Sequence, residues 1–200
     1  MDKLFTFLVF IFSAVIHEVA HGLVAEKFGD STARDEGRIT LNPIPHIDPF
    51  GSILLPGLLL WVGSPIVFGA AKPVPVNFSN MRNQRLGMAL VSLAGPLSNL
   101  LLAVLLMLPV VFGLVSGTVA DYWIMASGIN VVLAVFNILP IPPLDGSKIV
   151  ASFLPYNLMY KLLELERYGF LLIIVFLMLG LLDKVLLPVL TLFFRIFGIQ

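Results

Sequence analysis

Long apolar runs separated by short polar stretches dominate the chain. Five stand out, at residues 4–28, 49–71, 86–115, 122–139 and 168–182, the last resuming after Asp183-Lys184 as far as Phe194. A helix needs about 20 apolar residues to cross the hydrocarbon core of a bilayer, so the first, third and fourth runs predict spanning helices directly. The fifth reaches that length if its helix begins near Leu162 and Asp183 and Lys184 sit at an interface. The second carries no charge but holds Pro56, Gly57, Gly63, Pro65 and Gly69. That pattern makes a poorer spanning helix and leaves open a re-entrant segment, since irregular backbone at membrane depth is tolerated where protein buries it or it lines a cavity. Two stretches alternate with a period of two: residues 37–41, closed by Asn42-Pro43, and Val74, Val76 and Phe78 after Pro73. They predict short strands flanking the second run. The expected fold class is an all-α multi-pass membrane protein with four to six membrane segments and a small β element at the membrane face. Residues 1–200 read as a single domain.

Composition agrees. The chain is 58% hydrophobic and 12% charged, with mean hydropathy +1.00. Soluble domains carry about 25% charged residues. A formal net charge of zero implies no basic surface for nucleic acid, and no nucleic-acid partner is expected. The absence of cysteine excludes disulfides and thiolate-bound metal. Lys27, Arg34, Arg38, Lys72, Arg82 and Arg85 lie between the first and third runs, Lys148, Lys161 and Arg167 between the fourth and fifth. The turn between the third and fourth has Asp121 and no Lys or Arg. The positive-inside rule then places the basic stretches in the cytoplasm and that turn outside. The expected location is the cell membrane, with the lipid bilayer as an obligate partner. The first run does not read as a cleaved signal, because cleavage would discard the polar motif at its end.

That motif is His17-Glu18-Val19-Ala20-His21. Residues four apart share a helix face, so the two imidazoles can grip one ion, and Glu18 can take the proton of an attacking water. This is the zinc hydrolase arrangement. Zinc needs a third protein ligand, and Asp145 is the candidate, in Asn137-Ile138-Leu139-Pro140-Ile141-Pro142-Pro143-Leu144-Asp145-Gly146. The prolines end the fourth run near the side where His17 and His21 lie, and Gly146 allows a tight turn beside the carboxylate. Asp145 alone reads equally well as a helix N-cap; beside H-E-x-x-H at the same depth, the ligand reading prevails. His46, framed by Pro45 and Pro49, reads either as an approach to the metal or as an ordinary loop histidine. Gly95, Pro96, Ser98 and Asn99 in the third run read as helix-packing residues before catalytic ones.

The combination of H-E-x-x-H on a membrane helix, Ala94-Gly95-Pro96-Leu97-Ser98-Asn99, and a later N-x-x-P-x-x-P-L-D-G resembles the site-2 protease family of intramembrane zinc metalloproteases. Residues 42–51, with His46 and Asp48, and residues 71–77 resemble its compact prokaryotic branch, which lacks a PDZ domain. The resemblance implies Zn²⁺ held by His17, His21 and Asp145, with Glu18 as general base and Asn137 near the scissile carbonyl. It implies an endopeptidase acting on membrane-protein substrate helices in regulated intramembrane proteolysis. The competing reading is a metal-ion or proton transporter using the same His/Glu/Asp cluster. It requires ionisable groups spaced along several spans, whereas here they gather at one depth. A second competitor, a non-catalytic helix-binding scaffold, would lack Glu18 or Asp145, and both are present.

Overall fold

The computed structural model describes residues 3–48 and 72–199. The run at 49–71, the candidate re-entrant segment, lies outside the described residues. The helices are α1 (Lys3–Phe28), α2 (Thr32–Asp35), α3 (Gln84–Val111), α4 (Gly117–Ile138), α5 (Asp145–Phe153), α6 (Tyr156–Glu164), α7 (Gly169–Met178) and α8 (Leu181–Ile196). Among the described residues, α1, α3 and α4 are long and apolar enough to cross a membrane. The fifth apolar run does not form one long helix. Gly180 adopts a left-handed φ of 62° and divides it into α7 and α8. Glycine is the residue that takes that conformation without a Cβ penalty.

α3 is the central element, packed against α1, α4 and α5. Its buried positions repeat every four residues, at Gly87, Val91, Gly95, Asn99, Ala103 and Met107. On α1 the buried stripe is Ser13, His17, His21 and Ala25. On α4 it is Ala126, Asn130 and Ala134. Apart from Val91 and Met107 these stripes are small or polar, and the outward faces carry Leu4, Phe7, Phe12, Leu101 and Leu105, all exposed. Such an inside-out distribution suits lipid, where apolar side chains face outward and small residues let backbones approach. Contacts set the relative directions. Ser13 and His17 meet Asn99, whereas His21 meets Val91, so α1 and α3 are antiparallel. Ser127 bonds to Ala103 and Asn130 to Asn99, so α3 and α4 are antiparallel too. Hence α1 and α4 run the same way, and the rings of Phe5 and Tyr122 stack at their starts, 4.6 Å apart.

Neither stretch expected as a strand forms one. Pro73 and Pro75 lack N–H groups and cannot feed a ladder. Two backbone donors go to carboxylates instead, one within α1 and one just past it: Val74 N–H to Glu18 Oε2 at 2.7 Å and Asn77 N–H to Asp30 Oδ2 at 2.7 Å. Arg38 Nη2 donates to the carbonyls of Lys72 and Pro73 at 2.9 and 3.3 Å, so a side chain links the two stretches where a sheet was expected. No backbone edge at residues 38–41 is arranged as a strand.

α1 ends in a Schellman motif. Gly29, at φ 108°, donates to Glu26 and Asp30 donates to Ala25. The buried Asp30 carboxylate then accepts from Thr32 N–H and Oγ1–H, from Asn80 Nδ2 and from Asn77 N–H, tying the end of α1 to residues 77–80. Burial opposes the charge on Asp30, but these hydrogen bonds outweigh it and hold the carboxyl below its usual value. The resulting stabilisation is complete above the ordinary aspartate value of about 3.9 and is lost as pH falls through the lower folded value. Asp30→Asn should therefore cost about 1–3 kcal/mol at neutral pH. Thermal midpoints of detergent-solubilised wild type and variant should converge as pH is lowered toward 3; a gap constant with pH would remove the charge from this role.

Candidate metal centre

α1 places His17 and His21 one turn apart on the face it buries against α3. Each ring is held through Nδ1. His21 Nδ1–H donates to the Val91 carbonyl at 2.6 Å, and His17 Nδ1 lies 2.6 Å from Asn99 Oδ1. A carbonyl only accepts, so neutral His21 carries its lone pair on Nε2. That atom is 3.0 Å from His17 Nε2 and 3.3 Å from Asp145 Oδ2, and His17 Nε2 is 3.0 Å from the same oxygen. The rings meet edge-on at 84°.

Asp145 reaches this point because α4 ends at Ile138 and the Pro-rich loop turns back to start α5. Leu144, not Asp145, occupies the N-cap position. The Asp145 carboxylate is thus free of capping and faces the imidazoles. Gly146 is required by crowding: a Cβ there would strike the carbonyls of Ile138 and Leu139. Gly146 lies in the first turn of α5 without a left-handed φ, so the expected tight turn is not found at it.

The donor set fits zinc. Among the described residues, His17, His21 and Asp145 form the one group of His and carboxylate side chains placed to hold a metal ion. Ligands about 2.0–2.2 Å from zinc in tetrahedral geometry stand about 3.3 Å apart, close to the separations observed. Three electron-pair donors converging in a buried site require a cation or a proton between them. α3 also leaves room. A Cβ on Gly95 would fall on His21 Nε2 and His17 Nε2, so only glycine keeps open the space onto which the ligand atoms converge.

The other expected residues are placed as follows. Glu18 follows His17 on α1, with Oε2 fixed by Val74 N–H. Asn137, half-buried near the end of α4, donates one Nδ2 hydrogen to Leu133 O within its own helix. His46 is buried in the loop, where Nε2–H donates to Thr40 O and its own carbonyl accepts from Lys72 N–H; it does not join the cluster. Ser98 bonds back to Gly95 O. Asn99, read from sequence as a packing residue first, touches His17 directly. The signal for it was an amide in the middle of a membrane helix, on the same four-residue stripe as Gly95 and Val91.

Comparison with known proteins agrees with this geometry. Residues 113–181, which hold the Asn137-to-Gly146 stretch, match Peptidase family M50. YwhC of Bacillus subtilis is 42% identical over 190 residues, spanning 90% of this chain and 83% of that protein. Rip2 of Mycolicibacterium smegmatis is 30% identical over 201 residues, with 95% and 73% covered. MJ0611 of Methanocaldococcus jannaschii is 34% identical over 160 residues, with 73% and 72% covered. Each is named as a candidate zinc metalloprotease, and the names point to hydrolysis rather than transport. No solved structure matches the chain. Kinship along nearly the whole sequence and a donor set suited to zinc on apolar helices lead to one assignment: the chain belongs to peptidase family M50, the site-2 protease family, and is a membrane zinc metalloprotease.

Proposed function

We propose that the protein is an intramembrane endopeptidase that hydrolyses peptide bonds within or near the transmembrane helices of membrane-protein substrates, in regulated intramembrane proteolysis. The observation that carries the reading is the convergence of His17, His21 and Asp145 beside Glu18 on buried faces of apolar helices. A hydrolytic cluster placed there meets substrates that lie in the bilayer. Such a substrate helix must unwind locally, because an intact helix engages its carbonyls in hydrogen bonds.

In this reading His17, His21 and Asp145 hold the metal. Zinc, when bound, supplies Lewis acidity that brings the pKa of a water toward about 7 and polarises the scissile carbonyl. Glu18 takes the proton from the attacking water and delivers it to the leaving amine nitrogen. The Val74 N–H fixes Oε2 of Glu18, so the carboxylate keeps its aim through both transfers. Asn137 has a second Nδ2 hydrogen beyond the one given to Leu133 O, available to the substrate carbonyl as it gains negative charge. The basic stretches at residues 27–38 and 72–85 favour an orientation with the His/Asp cluster toward the cytoplasmic side of the cell membrane. Residues 49–71 and 169–196 would supply the remaining membrane segments.

Purified protein should hold about one zinc per chain. Gly95→Ala should lose most of it although every ligand remains, because the added methyl takes the space between the imidazoles. Elemental analysis showing full zinc in Gly95→Ala would place the metal elsewhere.

Glu18→Gln should keep zinc and fold while cleavage of single-span helices falls by at least about a hundredfold, as expected when a general base is removed. Chelator should abolish wild-type cleavage as well. Near wild-type turnover in Glu18→Gln would end the hydrolytic assignment of this residue.

Topology is testable without background, since the chain has no cysteine. Ser31, Ser79 and Ser116 are exposed and serve as single-cysteine sites. On intact cells an impermeant thiol reagent should label Ser116→Cys alone. Labelling of Ser31→Cys and not Ser116→Cys would invert the orientation. Labelling that separates Ser31→Cys from Ser79→Cys would make residues 49–71 a full span.

A further inference from the structure

The two histidines share a helix face but not a support. His21 is held by a backbone carbonyl, which no substitution alters. His17 is held by the side chain of Asn99, fully buried on α3. An amide can turn either end toward a ring nitrogen, so what sets its orientation decides which nitrogen of His17 carries the proton.

The surroundings leave Asn99 one choice. Its Nδ2 lies 3.1 Å from the Ser13 carbonyl, which can only accept. The NH₂ end must therefore face Ser13, and Oδ1 must face His17. The second Nδ2 hydrogen goes to Asn130 Oδ1 at 2.9 Å. Asn130, also fully buried, keeps that oxygen forward because its own NH₂ donates to the Ala126 carbonyl at 2.9 Å. Two backbone carbonyls, one on α1 and one on α4, thus anchor both ends of the amide pair. With only an acceptor at 2.6 Å, His17 Nδ1 must carry hydrogen, and the lone pair stays on Nε2, the atom beside His21 Nε2 and Asp145 Oδ2.

We propose that Asn99 and Asn130 form a positioning relay across α1, α3 and α4 that fixes the Nδ1–H tautomer and ring angle of His17, and through it the metal affinity of the site. The relay rests on the assignment of His17 as a ligand, but its tautomer is a property of the metal-free protein as well. Neither asparagine touches substrate. Losing a partner that orients a ligating histidine commonly costs about 10- to 100-fold in metal affinity.

The test combines two readouts on the full chain in detergent. ¹⁵N-histidine NMR of metal-free protein reports which ring nitrogen is protonated, and chelator competition reports zinc affinity. Wild type should show Nδ1 of both His17 and His21 protonated, with the proton that stands in for the metal shared among their Nε2 atoms and Asp145. Asn99→Ala should lose the fixed tautomer of His17 alone, leave His21 unchanged, and weaken zinc about 10- to 100-fold. Asn99→Asp keeps an oxygen facing His17 Nδ1 but gives up the hydrogens that Ser13 O and Asn130 Oδ1 accept, so it should keep the His17 Nδ1–H signal and recover only part of the affinity. Asn130→Ala should have a smaller effect in the same direction. The proposal is overturned if Asn99→Ala leaves the His17 tautomer and zinc affinity intact. It is equally overturned if the signals of both histidines change together, or if Asn99→Asp loses the His17 Nδ1–H signal as Asn99→Ala does. Should Asn99→Ala not fold, Asn99→Asp and Asn130→Ala decide alone: a retained His17 Nδ1–H in the first and weakened zinc in the second support the relay, and any other pattern rejects it. Wild-type protein with fixed tautomers but no zinc binding would instead reject the metal assignment.

Discussion

A histidine buried between apolar helices is stable only when its ring nitrogens have partners, and that requirement organises this structure. Lipid cannot hydrogen-bond a stray N–H or lone pair, and protein must do so. Val91 and Asn99 on α3 engage one nitrogen of each imidazole, and Asp145 approaches the others. Each partner then constrains its own helix. Asn99 draws in Ser13 and Asn130, and Asp145 requires that α4 stop and the chain return. The small residues around the cluster follow from the same demand, because large ones would hold the backbones too far apart for these bonds.

Much of this was legible in the sequence, and the reasons differ from residue to residue. α1, α3 and α4 were visible because uninterrupted apolar length is a direct physical signature of a bilayer-spanning helix. The H-E-x-x-H spacing carries its geometry with it, since i and i+4 share a face in any helix. Asp145 required a long-range inference, that the first and fourth runs are parallel, and the antiparallel contacts of α3 with both neighbours agree with it. The β element was misjudged because period-two alternation says nothing about where backbone donors go. At Val74 and Asn77 they go to Glu18 and Asp30, and Pro73 and Pro75 have none to give. The break at Gly180 was hidden inside an apolar run, where a single glycine is compatible with a continuous helix. Asn99 was underweighted because an amide in a membrane helix ordinarily serves as glue, and only the partner across the interface distinguishes the two roles.

The stretch from Lys72 to Asn77 shows how a loop acquires rigidity without regular structure. Arg38 grips its carbonyls, and Glu18 within α1 and Asp30 just past it take two of its amides, while the prolines remove donors that would need other partners. The Asp30 clamp fixes one end of this stretch and Glu18 the middle, so the orientation of Glu18 and the exit of α1 from the bundle are mechanically joined.

The amide pair at Asn99 and Asn130 has a consequence for the bundle in its solvent. Hydrocarbon surrounds apolar helices equally well at any depth, so apolar packing alone lets one helix slide along another by a turn at little cost. Here a slip of α3 by one turn would strand Ser13, His17, Asn99 and Asn130 at once. The network acts as an axial latch. In a bilayer thinner or thicker than its preferred one, α1, α3 and α4 should therefore tilt together as a single rigid body, rather than shear past one another, and the cluster at their core keeps its shape while the lipid accommodates.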